Sequence, residues 1–198
     1  MIMKELFIKR FLYYKELGDK SFAQLSDEQM FWQYNEESNS IAVIVKHIGG
    51  NMLSRWTNFW KEDGEKPWRN RDMEFVNTFK NKTEILDYWE KGWACLFEAL
   101  NEITPENINY TIFIRHEPHS VLDALLRQLA HYPYHIGQII YIAKMLKNDD
   151  WKTLSIARNA SDAYTIEMLR LQHPDEISEN SSPVCFANSP EIRKDFKI

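Results

Sequence analysis

The stretch Glu117–Lys147, EPHSVLDALLRQLAHYPYHIGQIIYIAKMLK, decides the fold class of this chain. Leu122, Leu125, Leu126, Leu129, Ile136, Ile139, Ile140 and Ala143 recur at three- and four-residue intervals. That period predicts one long amphipathic helix from about Val121 to Lys147, opened by Pro118-His119-Ser120. His131 and His135 stand four apart within it, so both rings lie on one face and can present a nitrogen to one cation. Spacing alone leaves open a pair that merely packs or caps, because so short a motif is weakly specific. Pro133 sits between them. Inside a helix, proline removes the amide that would bond the Leu129 carbonyl and its ring clashes with that carbonyl, at about 3 kcal/mol. The expectation is a kink or π-bulge that keeps both histidines on one side.

Working outward, three more long helices are predicted. Leu6, Phe7, Phe11, Tyr14 and Leu17 carry a helical period, with Gly18 as its stop. Ser26-Asp27-Glu28-Gln29 reads as a capped short helix. Ile41 to Lys61 forms the second long helix, burying Ile41, Ile44, Val45, Ile48, Met52, Trp56, Phe59 and Trp60. Its Gly49-Gly50 pair costs about 1 kcal/mol per glycine relative to alanine, which suggests close packing or backbone approach there, with an imperfectly built helix as the equal alternative. KEDGEKPWRNRDMEF, residues 61–75, is the longest clear loop. Thr83-Glu84 opens the third long helix, with Ile85, Tyr88, Trp89, Leu96, Phe97 and Leu100 in register. NINYTIFIRHEP, residues 107–118, alternates in part and predicts a short extended excursion before the fourth. A shorter helix is expected near Ser161 to Leu171. The fold class is therefore all-α: a four-helix bundle with one extended excursion, residues 1–171, followed by a Pro-, Ser- and Asn-rich tail, 172–198.

Composition narrows the function. With 198 residues the chain is long enough for one sizeable core, and its six glycines and seven prolines argue against an all-β chain full of tight turns. A formal net charge of −5 with scattered Lys and Arg offers no general attraction to nucleic acid or to an anionic membrane. Charges interrupt MIMKELFIKRFLYYKELGDK every few residues, unlike a signal peptide, and no run reaches membrane-spanning length. Cys95 and Cys185 are far apart and fit a reducing compartment, so a cytoplasmic location is expected.

A third ligand would complete a metal site with open positions. His47, amid apolar neighbours on the second long helix, is the candidate; a histidine satisfied by one hydrogen bond is the alternative. His116 and His119 flank Pro118 and read as loop or capping residues, and His173 as a solvent-facing group in the tail. Asn51 and Arg55 fall one and two helical turns beyond His47, and Gln138 three residues after His135. Asn51 and Gln138 are polar edge residues or partners of the ligands. Arg55 faces solvent or, turned inward, holds an anionic substrate group. Glu37 and Glu117 read as cap or loop charges. Trp56, Trp60, Trp89 and Trp93 are core rings, or walls for a hydrophobic ligand.

His47 together with HYPYHIGQ, the longer stretch around it, and DWKTLSIARNASDAY (Asp149–Tyr164) resembles the DinB/YfiT-like superfamily of metal-binding four-helix bundles, in a bacterial subfamily without assigned activity. The resemblance covers roughly Met1 to Leu171; Pro133 and the tail depart from it. It implies that His47, His131 and His135 are three ligands of a divalent metal, nickel or zinc, and that the protein forms a homodimer. It also implies use of the metal with a low-molecular-weight thiol, transferred to a small-molecule electrophile, or with an activated water for hydrolysis. Asn51, Arg55 and Gln138 would then face the thiol or substrate. A non-catalytic metal- or small-ligand-binding stress protein is the alternative.

Overall fold

The computed structural model describes residues 3–172. Most of the described chain is helical, in six α-helices and one small two-stranded sheet. The chain divides into two compact units, Met1–Lys152 and Thr153–Ile198. The expected tail lies outside the described residues from His173 onward, and Cys185 with it.

In the first unit, α1 (Met3–Phe22), α3 (Ile41–Trp56), α4 (Lys82–Glu102) and α5 (Val121–Lys147) are the long helices, and α2 (Asp27–Phe31) is short. Helix α3 packs on α4 and on α5, while α1 packs on α5 and on α4. Their shared interior holds Phe11, Ile48, Met52, Trp89, Trp93, Leu125, Tyr132, Ile136 and Ile139. Burial of such stripes, at about 25 cal/mol per Å² of apolar area, is what assembles these helices. Four of the starts are capped by side chains, and α4 opens at Lys82 under Asn81 rather than at Thr83-Glu84. Ser26 and Gln29 form a reciprocal capping box at α2, and Ser40, Asn81 and Ser120 accept amides at the starts of α3, α4 and α5.

The structure corrects several expectations. Helix α1 does not stop at Gly18 but runs to Phe22. Gly18 is instead a contact point, where a Cβ would lie 2.6 Å from the Trp89 ring. Helix α3 ends at Trp56 rather than Lys61, because Thr57 turns extended and Asn58 takes a positive φ of 48°. Leu126 is exposed rather than buried. Through Pro133, α5 continues without a π-turn, and both histidines stay on one side.

The extended excursion is the antiparallel hairpin β1 (Thr111–Ile114) and β2 (Glu117–Ser120), paired Thr111 with Ser120 through Ile114 with Glu117. Its two turn residues, Arg115 and His116, both have positive φ, the backbone a tight two-residue hairpin needs. The Asp63 carboxylate accepts their amides at 2.8 and 2.7 Å, and the Gly64 amide bonds the Phe113 carbonyl at 2.7 Å. The long connection between α3 and α4 is thereby tied to the hairpin, and both lie over the ends of α3 and α5. In the second unit, α6 (Ser161–Gln172) has no fully buried residue. No helix among the described residues is long and apolar enough to cross a membrane.

Candidate metal centre

Three imidazoles meet where α3 faces α5. His47 Nε2 lies 3.3 Å from His131 Nε2, and His135 Nε2 lies 3.1 Å from the same atom. One ligand atom from each of the three falls within 4.8 Å of the others. Nitrogens about 2.0–2.1 Å from a shared cation would be about 3.0 Å apart at a right angle and about 3.4 Å apart at a tetrahedral angle. The observed separations fall between these limits, so this group could hold a metal ion.

The outward nitrogens decide the tautomers. His47 Nδ1 is 2.9 Å from Glu74 Oε2, and an ionised carboxylate can only accept, so the proton sits on Nδ1 and leaves the Nε2 lone pair facing inward. His135 Nδ1 likewise donates to Gln138 Oε1 at 2.8 Å, while Gln138 Nε2 donates to the Tyr134 hydroxyl at 3.2 Å. Two lone pairs therefore face His131 Nε2, and the three nitrogens share at most one proton. Burial, then the neighbouring His135 and His47, holds the His131 pKa down to about 3. Burial also lowers that of His135, against the hydrogen bond to Gln138. Both rings are neutral at pH 7, the state in which imidazole ligates metals.

Glu74 is the residue that sequence reasoning missed. It lies in the 3-10 turn Asp72–Phe75 of the charged connection, yet only 5% of it is exposed. Arg69 clamps it with Nε on Oε1 at 2.8 Å and a terminal nitrogen on Oε2 at 3.0 Å. Burial works to raise the Glu74 pKa, but the hydrogen bonds and charges of His47 and Arg69 outweigh it and hold the carboxyl below its usual range. The carboxylate occupies the place a side chain at Gly50 would take, and Tyr88 fills that place at Gly49. The glycine pair in α3 thus exists for close approach. Phe75 from the same turn stacks on the His47 ring, with centroids 5.0 Å apart. A weak signal for Glu74 existed, a carboxylate between Met73 and Phe75 in a loop otherwise polar.

Asn51 is buried one turn beyond His47 and accepts the hydroxyl of the fully buried Tyr132 at 3.2 Å, which in turn accepts from Trp56. Arg55 does not face solvent. It is 5% exposed, donating to the Gly64 carbonyl and to Glu65, because the connection folds back over the end of α3. Asn51 and Arg55 line a cavity of about 240 Å³ that His47 and His131 also border. Beyond His135, Gln138 borders a larger groove of about 820 Å³ walled by Trp32, Tyr34, Ile44, Tyr134, Tyr141, Ile142 and Met145.

Other candidates fall elsewhere. His116 is exposed at the hairpin turn, and His119 Nδ1 lies 2.6 Å from Asp123. His173 lies outside the described residues. Glu117 is exposed on β2, whereas Glu37 borders the larger groove. Trp56, Trp89 and Trp93 are core, and Trp60 donates to Glu102 at the surface.

Comparison with curated proteins gives no match. The chain belongs to the family described as "Protein of unknown function (DUF1572)", which matches residues 3–160. The matched region includes all three histidines and Glu74.

Proposed function

We propose that His47, His131 and His135 ligate a divalent metal, nickel or zinc, within a DinB-like four-helix bundle made by α1, α3, α4 and α5. In this reading the protein is a cytoplasmic, homodimeric transferase that moves a low-molecular-weight thiol onto a small electrophile. The observation that supports it is the convergence of three imidazole Nε2 atoms, two of them turned inward as lone pairs by Glu74 and Gln138.

A divalent cation held by neutral imidazoles keeps most of its charge and would favour thiolate over thiol in a cofactor beside it. The chain's own groups supply the rest. Glu74 and Gln138 fix the ring orientations, as hydrogen-bonded partners of ligands commonly do. Asn51 and Arg55 on one side and Gln138 on the other offer polar contacts to the thiol. The aromatic groove beyond Gln138 suits an apolar electrophile. The sulfur–carbon bond forms as the leaving group departs with its electron pair, and the thiol proton passes to solvent.

A second reading, a non-catalytic metal- or ligand-binding protein, is favoured by one fact. The carboxylate nearest the histidines, Glu74, is already committed to His47 and Arg69, so it is not free as a general base.

Metal analysis of protein purified without a histidine tag tests the site. One metal per chain is expected, and its loss in His47→Ala and His135→Ala; unchanged content in both variants would sink the three-histidine centre. Incubating metal-loaded protein with several thiols and a chromogenic electrophile then separates the readings. A metal-dependent rate above that of the free thiol supports the transferase, and no such rate for any thiol leaves the binder.

A further inference from the structure

The cavity beside the histidines is lined by five arginines, Arg55, Arg69, Arg71, Arg115 and Arg127, with Gln128 at its wall. They converge from four places in the chain: the end of α3, the α3–α4 connection, the hairpin turn and α5. Arg69 is committed to Glu74, and Arg55 and Arg115 share Glu65 at 3.1 Å each. Arg71 lies over the Phe75 ring at 5.3 Å, and among the described residues the Arg127 side chain has no hydrogen bond or ion pair. Asp63, Glu65 and Glu74 are the carboxylates bonded to these arginines' side chains or backbone, so two positive charges remain uncompensated. Arginines gathered this closely repel one another, and an oxyanion between them relieves that repulsion through paired N–H donors.

Two buried atoms point the same way. Arg55 Nε and Gln128 Oε1 are both shielded from water and have no partner. Leaving such groups unpaired costs roughly 1–3 kcal/mol each unless something fills the gap. An acceptor oxygen would satisfy the first, and a hydroxyl or N–H donor the second.

We infer that this cavity is a subsite for a small dianion, a phosphate or paired-carboxylate group carrying a neighbouring hydrogen-bond donor, gripped between buried Arg55 and the uncommitted Arg127 and Arg71. The volume of about 240 Å³ is ample for a head group of that size. Arg127 and Gln128 precede His131 by four and three residues on α5, so the anion lies one helical turn from the imidazoles. The inference stands on the guanidiniums and requires neither a bound metal nor a thiol.

Calorimetric titration of inorganic phosphate and of malonate into metal-free and zinc-loaded protein, at constant ionic strength, tests it. Saturable binding of at least one anion is expected. It should weaken by about tenfold in Arg127→Ala and further in the Arg71→Ala/Arg127→Ala double variant. Neither side chain is buried, so the unfolding midpoint without anion should match that of the parent protein. Tighter phosphate than malonate binding identifies a phosphate ligand, and the reverse a carboxylate. Anion binding retained in protein that takes up no zinc would fail the metal centre while supporting the subsite. No saturable binding, or equal affinity in parent and double variant, overturns the inference.

Discussion

The site has two walls of different kinds. One is helical: His47 on α3 and His131 and His135 on α5 are set by regular spacing on rigid elements. The other is the irregular connection from Thr57 to Asn81, which supplies Glu65, Arg69, Glu74 and Phe75. The helical wall provides the inward nitrogens. The irregular wall decides which nitrogen of His47 carries the proton and how much positive charge surrounds the cavity. A donor set can thus be placed by helix geometry, while its chemical state depends on a segment without repeating structure.

Removing the key contact of the irregular wall should have the largest effect. Glu74→Ala strips His47 of its Nδ1 acceptor and leaves the buried Arg69 guanidinium with only its longer, 3.4 Å contact to Glu65. Breaking a buried pair in this way costs about 3–5 kcal/mol, readable as a lower urea midpoint. Metal affinity should fall by about 10- to 100-fold as well, measured by competition with a chelator. Normal stability and affinity in this variant would mean that the connection is not what holds His47.

An acid titration of metal-free protein probes the helical wall. The native pKa of His131, about 3, lies below the ordinary histidine value near 6.5. Above pH 6.5 both native and unfolded chains leave the ring neutral, so stability is unaffected. As pH falls from about 6.5 toward 3 the unfolded chain takes up the proton first, and stability declines. The lowered pKa of Glu74 adds a loss as that carboxylate is protonated. Urea midpoints across this range should fall less steeply for His131→Ala than for the parent protein. Parallel curves would place the acid sensitivity elsewhere.

The smallest effect is expected at Gln138, where the contact lies within α5 itself. Gln138→Ala removes the His135 Nδ1 acceptor but leaves no buried charge. Metal affinity should weaken by about tenfold with little change in urea midpoint. A loss as large as that of Glu74→Ala would erase the distinction between the two walls.

Much of the helical wall could be read in advance, because side chains three and four apart on a helix must share a face whatever the fold around them. The pairing of His131 with His135, the placement of Asn51 and Arg55 below His47, and the reach of Gln138 all follow from that rule. So does the length of α5, since its apolar stripe runs on either side of Pro133. Sequence reading went wrong where one element meets another. Gly18 carries the stop signal of a free helix, but the Trp89 indole lies against it and α1 continues. Arg55 looks like a solvent-facing charge until the connection folds over it.

By itself, then, the sequence determined which segments are long helices, the capping box at Ser26, and the alignment of donors along each helix, because these depend on local periodicity and near-neighbour hydrogen bonds. Only the tertiary structure decided that α3 and α5 bring three Nε2 atoms together, that Glu74 fills the space left by Gly50, and that five arginines from separate segments line one cavity. Those contacts join residues far apart in the chain. Buried charge sets their energetics: Glu74, Arg69 and Arg55 are tolerated away from water only because folding delivers each a partner. No periodicity in the connection announces that pairing in advance.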